Sequence, residues 1–447
     1  MLRFKWNNIN LIVGTLLFIV FILIQVFSNK KLNFSPIIED LTPGSDYAYT
    51  IALDSEDFYV AGSCDSCGSL GSLAWQIEKR RKSDGQLDPN FGNSGRIISD
   101  PTSSDDEAYS ITIDSSYMYI AGVQAGQSSD YAWRIEKRDK ITGAYDPHFG
   151  LGGYIISNST RGDDYAFSIT NDDSFIYLVG SQPHDSPLST HAWRIEKRDK
   201  ITGAYDPHFG LGGYIISNPV NEDNEAYSVV TDNSFIYIAG LEGGTGADGK
   251  GVWRIEKRDK ITGAYDPHFG LGGYIISDPT VFIDEARSIA IDDSFIYLAG
   301  YQSGNNILGR NWAWRIEKRD KITGAYDPHF GLGGYVVSDP TSNNDLARSI
   351  FIDNYYVYIG GHQNGSDILG ESDRLWRIEK RDKITGAYDP HFGLGGYIIE
   401  NPSTGDDFIY SIITDSSYIY VVGYQVVLDK PGNFAWRIEK RKITNGQ

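Results

Sequence analysis

Residues 133–154 read WRIEKRDKITGAYDPHFGLGGY, and the same stretch begins again at Trp193, Trp253, Trp314 and Trp376. Its first part, W-x-I-E-K-R, also occurs at Trp75 and Trp436, so the motif appears seven times at spacings of 58 to 62 residues. A fixed period of this size indicates repeated structural units that stack on one another. Because the five long copies are identical, they indicate recent duplication and carry little information about function.

Each repeat contains four strand-like runs and no stretch of useful length with helical periodicity. In the fifth repeat these runs are residues 274–277, 286–292, 295–300 and 314–319. The second of them (ARSIAID) alternates apolar and polar residues as a half-buried strand does. Four short strands in each of seven units predict an all-β fold, a seven-bladed β-propeller of four-stranded antiparallel blades.

Ring closure depends on where a blade begins. If a blade runs from the ARSIAID-type strand to the following YIIS-type strand, the last blade lacks its fourth strand, because the chain ends at Gln447. Residues 36–40 (PIIED) align with that strand, so we expect them to complete the seventh blade and close the ring, removing an exposed sheet edge. If the blade is the repeat unit itself, no such exchange is needed.

Insertions and deletions are confined to one loop per blade, between the Gly that ends the FIYLAG-type strand and the next Trp. Length-variable loops on a rigid scaffold are common binding sites. The second loop residue is a Gln or Glu in six blades, which predicts a ring of polar groups at the channel mouth that either binds a ligand or caps strand ends. Aromatic side chains in or beside the loops would add contact surface. The candidate ligand-binding residues are Gln124, Gln182, Glu242, Gln302, Gln363, Gln425, Tyr301 and Trp312.

Three further patterns allow a chemical and a structural interpretation. Cys64 and Cys67 form a C-x-x-C motif without a βαβ context, so a local disulfide is favoured over free thiols. Acidic linkers are interpreted as solvated charge, with Ca²⁺ binding as the alternative although no EF-hand spacing occurs. The linker acids are Asp105, Asp106, Glu107, Asp163, Asp164, Glu222, Asp223, Glu225, Asp284, Glu285, Asp406 and Asp407. The His residues of the copied turns are expected to be solvated, so no metal site and no other cofactor are predicted.

The N-terminal segment divides the chain into residues 1–31 and the propeller, 32–447. Residues 11–27 are almost uninterruptedly apolar and follow a basic flank, which favours an uncleaved transmembrane signal anchor over a cleaved signal peptide. We therefore expect export to the cell surface, with the membrane contacted through residues 11–27. The net charge is −19, and beyond residue 31 there are 36 basic against 59 acidic residues, which argues against nucleic acid as a partner.

Residues 85–95 (GQLDPNFGNSG) and 143–153 (GAYDPHFGLGG) resemble the delta-60 repeat, whose unit carries G-x-L-D-x-x-F-G-x-x-G and later a hydrophobic strand ending in Ala-Gly. Ala121-Gly122, Ala239-Gly240 and Ala299-Gly300 match that last element, and the resemblance covers roughly residues 36–441. The WRIEKR strand departs from the family pattern. The resemblance implies a propeller-like repeat on secreted or surface proteins, and it supplies no catalytic residues.

Three functions remain open from the sequence. We expect a binding or adhesion module that recognises a surface glycan or protein through the variable-loop face. The alternatives are a structural envelope component without a specific ligand and a polysaccharide hydrolase or lyase. No G-x-S-x-G, H-E-x-x-H or phosphate-binding loop is present, so the prediction is a protein that is not an enzyme.

Overall fold

A computed structural model describes residues 36–40, 42–125, 130–158, 162–184, 190–220, 222–244, 250–280, 282–303, 311–365, 373–427, 430 and 432–446. Within these ranges, twenty-eight strands form seven four-stranded antiparallel sheets. The predicted seven-bladed propeller of four-stranded blades is confirmed.

The strands are numbered in chain order, and β1 (Ile37–Glu39) precedes the first complete blade. Blade 1 has β2 (Asp46–Leu53), β3 (Asp57–Asp65), β4 (Leu73–Arg81) and β5 (Arg96–Ser99). Blade 2 has β6 (Glu107–Ile113), β7 (Tyr117–Ala125), β8 (Tyr131–Asp139) and β9 (Tyr154–Ser157). Blade 3 has β10 (Tyr165–Asn171), β11 (Phe175–Pro183), β12 (His191–Asp199) and β13 (Tyr214–Ser217).

The remaining blades repeat this pattern. Blade 4 has β14 (Glu225–Thr231), β15 (Phe235–Glu242), β16 (Val252–Asp259) and β17 (Tyr274–Ser277). Blade 5 has β18 (Glu285–Ile291), β19 (Phe295–Ser303), β20 (Trp312–Asp320) and β21 (Tyr335–Ser338). Blade 6 has β22 (Leu346–Ile352), β23 (Tyr356–Asn364), β24 (Arg374–Asp382) and β25 (Tyr397–Glu400). Blade 7 has β26 (Phe408–Thr414), β27 (Tyr418–Val426) and β28 (Phe434–Lys442).

The first strand of each blade lies at the ring axis, where β2 contacts both β6 and β26 and the other inner strands contact their neighbours in the same way. The following strands succeed one another outward. In blade 7 the outer strand is β1, which is antiparallel to β28 and places Ile37 opposite Ile438. One sheet therefore contains strands from both ends of the chain.

Neighbouring blades are joined by the Trp of each WRIEKR-type strand. All seven Trp side chains are buried, and each indole Nε1 donates to a backbone carbonyl in the second strand of the next blade at 2.9 to 3.3 Å. Burying the ring removes a large apolar surface from water while the hydrogen bond satisfies its one polar atom. Each Trp therefore packs between its own blade and the next one.

A buried ion network occupies the other side of the same strand. In blade 2, the carboxylate of Glu136 accepts bonds from Arg134 Nε and Arg138 Nε, both at 2.7 Å. Its other donors are the Tyr145 hydroxyl at 2.8 Å and the Ser99 hydroxyl of blade 1 at 2.7 Å. Burial alone would raise the pKa of Glu136, but the two guanidinium groups outweigh it and lower the pKa to about 2. Because Ser99 belongs to blade 1, the network also ties two blades together.

The junction between blades 7 and 1 replaces members of this network. Glu39 in β1 accepts hydrogen bonds from Arg80 and Arg96 of blade 1, and both arginines also bind Glu78 through Nε at 2.7 Å. Gln76 stands where blade 2 has Arg134, and it donates to Glu78 at 3.0 Å. Two carboxylates thus face two guanidinium groups, so the charges remain matched where the chain ends meet.

The membrane-anchor prediction, on residues 1–31, lies outside the described residues. No helix in the described part of the chain is long and apolar enough to span a membrane.

Candidate functional site

The six predicted loop-ring residues lie between strands instead of at the channel mouth. Their side chains are buried, and each accepts a hydrogen bond from the first Arg of the adjoining WRIEKR strand. Gln124 Oε1 accepts from Arg134 Nη1 at 2.7 Å, and Gln363 Oε1 accepts from Arg377 Nη1 at the same distance. The other pairs are Gln182 with Arg194, Glu242 with Arg254, Gln302 with Arg315 and Gln425 with Arg437. The expected position at the mouth is therefore wrong, because strand pairing turns these side chains toward the Arg of the next strand.

Tyr301 and Trp312 form an aromatic pair whose ring centroids are 4.9 Å apart. Tyr301 is buried, and it lies opposite Glu285, which begins the inner strand of the same blade. Trp312 is half-buried at the start of β20. The predicted aromatic surface is thus partly turned into the blade, beside the axis. Cys64 and Cys67 form a disulfide at the end of β3, the local pairing that the sequence favours.

The acidic linkers are less solvated than expected. Asp106, Asp164, Asp284 and Asp407 are fully buried. In blade 2, Asp106 accepts from Thr102 Oγ1 at 2.9 Å and from the backbone nitrogen of Ala125 at 3.1 Å. Burial raises the pKa of Asp106 to about 6 despite these hydrogen bonds. The buried linker acids therefore fix the ends of the second strands, whereas Glu222 and Asp223 remain exposed.

A cavity of about 340 Å³ occupies the axial channel. It is lined by Tyr49, Glu107, Tyr109, Tyr165, Phe167, Tyr227, Arg287, Arg348 and Tyr410. All of these residues belong to the first strands of their blades, and Glu107 and Tyr165 begin those strands. Because the inner strands start at the face that carries the variable loops, the cavity lies toward that face.

The middle of the cavity wall is a ring with one residue from each blade. Five are aromatic and form a continuous arc, with centroid distances of 4.9 to 5.9 Å between neighbours. In order around the arc they are Tyr410, Tyr49, Tyr109, Phe167 and Tyr227. Blades 5 and 6 contribute Arg287 and Arg348, which stack on the two ends of the arc at 4.0 Å from Tyr227 and 4.9 Å from Tyr410. The channel is therefore chemically one-sided, although the ring is nearly seven-fold.

Three Glu residues lie above this ring at the starts of β6, β14 and β18. Glu107 accepts a hydrogen bond from the Tyr49 hydroxyl at 2.5 Å, and Glu225 accepts one from Tyr227. Burial raises the pKa of both carboxyl groups above their usual value. Glu285 forms an ion pair with Arg287. Each acid thus already has a partner within the channel wall.

The two channel arginines differ in whether a carboxylate balances their charge. Arg287 is paired with Glu285, whereas no carboxylate of the described residues lies within 4.0 Å of the Arg348 guanidinium. The Nε atoms of both arginines are buried without a hydrogen-bond partner among the described groups. Next to Arg348, His362 is fully enclosed, and burial together with the charges of Arg348 and Arg374 lowers its pKa well below 6.5. A neutral His therefore adds no charge compensation to Arg348.

The channel residues are not among the candidate binding residues predicted from the sequence, although the sequence contains a pattern that identifies them. In each ARSIAID-type strand, the channel residue lies between an Ala (Ile in blade 7) and a Ser or Thr. From blade 1 to blade 7 the channel residue is Tyr, Tyr, Phe, Tyr, Arg, Arg and Tyr. The neighbouring Ser or Thr is nearly constant because in six blades it accepts a bond from a backbone nitrogen of the next inner strand, at 3.1 to 3.3 Å. The channel position can therefore be recognised in the sequence, because it varies between blades while the residues beside it are nearly constant.

No protein-family model matches the chain, and no curated protein matches it. Among solved structures it is similar to Drosophila Semaphorin 2a, with a TM-score of 0.48 and 8% identity over 91% of this chain and 76% of the other. A Pyrococcus horikoshii acylaminoacyl peptidase gives a TM-score of 0.44 and 10% identity over 90% of this chain and 53% of the other. The Neurospora crassa Pan2 WD40 domain gives 0.34 and 9% identity over 74% and 88%. These similarities carry no inference about activity or ligand.

Proposed function

We propose that this chain is an exported binding propeller, without enzymatic activity, whose ligand enters the axial channel from the variable-loop face. In this proposal residues 11–27 anchor it at the cell surface, where it recognises a glycan or protein. The resemblance to delta-60 repeats agrees with that location. The proposal includes no cofactor. Whether Ca²⁺ at the linker acids affects binding is tested by measuring binding with and without Ca²⁺.

One observation carries the proposal: the channel ring differs between blades whose outer strands and turns are copies of one another. Residues 133–154 recur unchanged in five blades, so duplication without later change would give these five blades equal channel residues. Instead, two adjacent blades carry Arg287 and Arg348 beside an aromatic arc. A concave, largely aromatic cavity with a few converging polar groups is typical of small-molecule and glycan sites.

The two alternative functions have less support. A structural component without a ligand gives no reason for a channel guanidinium that has no ion-pair partner in the described part of the chain. A carboxylate-based hydrolase needs one acid free to protonate a leaving group and a second to attack or to activate water. Here Glu107, Glu225 and Glu285 are engaged by Tyr49, Tyr227 and Arg287 respectively.

The test is binding of the full chain, purified in mild detergent, to an array of glycans and cell-surface extracts, with and without Ca²⁺. We expect saturable binding that Tyr109→Leu weakens at least tenfold, because it interrupts the aromatic arc. Tyr355→Leu is the matched control, since Tyr355 is 73% exposed in the β22–β23 turn on the opposite face.

Each other outcome contradicts part of the proposal. Binding that survives Tyr109→Leu but is lost on Tyr301→Ala and Trp312→Ala would move the site to the loop face. No binding under either condition would support the structural alternative. Release of shorter products from an arrayed polysaccharide would support the hydrolase.

A further inference from the structure

The channel contains a positive charge, that of Arg348, for which the described residues provide no counter-charge. Arg348 stacks on Tyr410 and lies 5.5 Å from the centre of the Phe408 ring, but it forms no ion pair with any described residue. Its buried Nε also lacks a hydrogen-bond partner there. Leaving a buried donor unpaired is destabilising, and more so for a charged group. The guanidinium lines the cavity, so an anionic ligand bound there would supply the missing counter-charge.

The second arginine faces the same cavity. Arg287 uses part of its guanidinium for Glu285, and its own Nε is buried without a partner. Two guanidinium groups from neighbouring blades that line one cavity match a planar carboxylate, which Arg binds in bidentate geometry. A carboxylate placed between blades 5 and 6 would give Arg348 the counter-charge that it lacks.

The surrounding acids limit the charge of such a ligand. Glu107, Glu225 and Glu285 lie at the start of the inner strands, on the entry side of the ring. A phosphate dianion would meet more repulsion from these carboxylates than a monoanion, because the Coulomb energy grows with the ligand charge. The channel therefore favours a single carboxylate over a phosphate group.

The rest of the wall indicates a ligand with both apolar faces and hydroxyl groups. Four of the five arc residues are Tyr, and burial raises the pKa of Tyr49, Tyr109 and Tyr227 well above 10, so their hydroxyl groups stay neutral. Tyr rings offer flat apolar surface together with a hydrogen-bonding group. The cavity of about 340 Å³ is at the small end of ligand pockets, which excludes a bulky ligand.

We propose that the channel binds a carboxylate-bearing sugar, with the chemistry of a uronic acid, whose carboxylate is held by Arg348 and Arg287 and whose ring packs on the aromatic arc. This inference rests on the proposed binding function and specifies its ligand class. The terminal unit of an acidic glycan would enter from the variable-loop face.

The experiment is a calorimetric titration of the full chain at pH 7 with glucuronate, glucose, benzoate and inorganic phosphate as separate probes. We expect saturable binding of glucuronate that is at least tenfold tighter than that of each other probe. Arg348→Gln should weaken glucuronate binding at least tenfold. Arg81→Gln is the matched control, because Arg81 is an exposed arginine paired with Asp84 at the opposite face.

Five results would overturn the inference. Equally tight binding of glucose would show that the carboxylate is not recognised. Equal or tighter binding of benzoate would show that the sugar ring is not recognised. Tighter binding of phosphate would indicate a simple oxyanion site. Absence of glucuronate binding, or binding unchanged by Arg348→Gln, would also contradict it. The proposed function fails separately, by loss of all array binding or by insensitivity of that binding to Tyr109→Leu.

Discussion

The outer half of each blade and the axial channel differ in whether their buried charges have ion-pair partners. In blade 4, Glu256 is fully buried and accepts bonds from Arg254, Arg258, Tyr265 and Ser217, so every charge has a partner. In the channel, Arg348 has no ion-pair partner among the described residues. The outer network is copied almost unchanged from blade to blade, whereas the channel positions differ. Identity between copies thus marks the residues that hold the fold, and difference marks those available for recognition.

The largest expected effect comes from breaking one copied network. Glu256→Ala leaves Arg254 with only Glu242 and leaves Arg258 without a carboxylate partner. Removing one member of a buried ion network costs about 3–5 kcal/mol. Denaturant unfolding of the full chain measures this loss, with exposed Glu222→Ala as the control, expected within about 0.5 kcal/mol. A loss below about 1 kcal/mol for Glu256→Ala would show that the networks do not hold the blades.

A smaller effect tests the junction where the chain ends meet. We propose that β1 closes the ring, so Glu39→Ala should cost about 2 kcal/mol, because Arg80 and Arg96 would share Glu78 alone. Ser99 holds the corresponding outer-strand position in blade 1, and Ser99→Ala should cost about 1 kcal/mol, since Glu136 keeps its two arginines. Equal unfolding free energies for the two variants would contradict a special role of β1 in closure.

The buried acids at the ends of the linkers predict a pH dependence of stability on the order of 1 kcal/mol for each acid. Burial raises the folded-state pKa of Asp106, Asp284 and Asp345 to about 6 and that of Asp407 to about 7, above the ordinary value of 3.8. The folded state therefore holds more protons than the unfolded state between pH 3.8 and about 7. Stability should rise as the pH falls from about 7 toward 5, because the penalty of burying these carboxylates disappears.

Blade 4 supplies the matched control for that effect. Asn224 occupies the position of these acids, and its Oδ1 accepts from the backbone of Gly243. Asp284→Asn should reduce the pH slope measured by thermal unfolding between pH 5 and 7. A slope unchanged by Asp284→Asn, or stability that falls throughout this range on acidification, would contradict the assignment. Acids with lowered pKa values, such as Glu136, lose their contribution only as the pH falls below about 4.5.

The smallest expected effect on stability lies in the channel. Arg348→Tyr introduces the residue that blades 1, 2, 4 and 7 carry, and it breaks no ion pair among the described residues. The free energy of unfolding should fall by no more than about 0.5 kcal/mol, because the change also removes a charge without a partner. Arg287→Tyr is the contrast, because it leaves Glu285 without its ion-pair partner and should cost about 1–3 kcal/mol. Equal losses would show that Arg348 has a structural partner.

The sequence predicts the fold better than the site, for a physical reason. Strand alternation, turn residues and a constant Trp repeat in every blade, so local patterns determine the sheet order. The position of a side chain relative to the ring axis depends on which strand is innermost. Gln124 was expected at the channel mouth because it follows a strand end, yet the register with β8 places it against Arg134. Arg348 lies within a strand that the sequence identifies, but only the assembled ring shows that its side chain faces the axis.

The most direct test of the account is array binding of the Arg348→Tyr variant beside the unchanged chain. We expect this variant to fold with the same melting temperature within a few degrees and to lose at least nine-tenths of its saturable binding. A folded Arg348→Tyr protein that binds as tightly as the unchanged chain would contradict the claim that the diverged channel carries recognition.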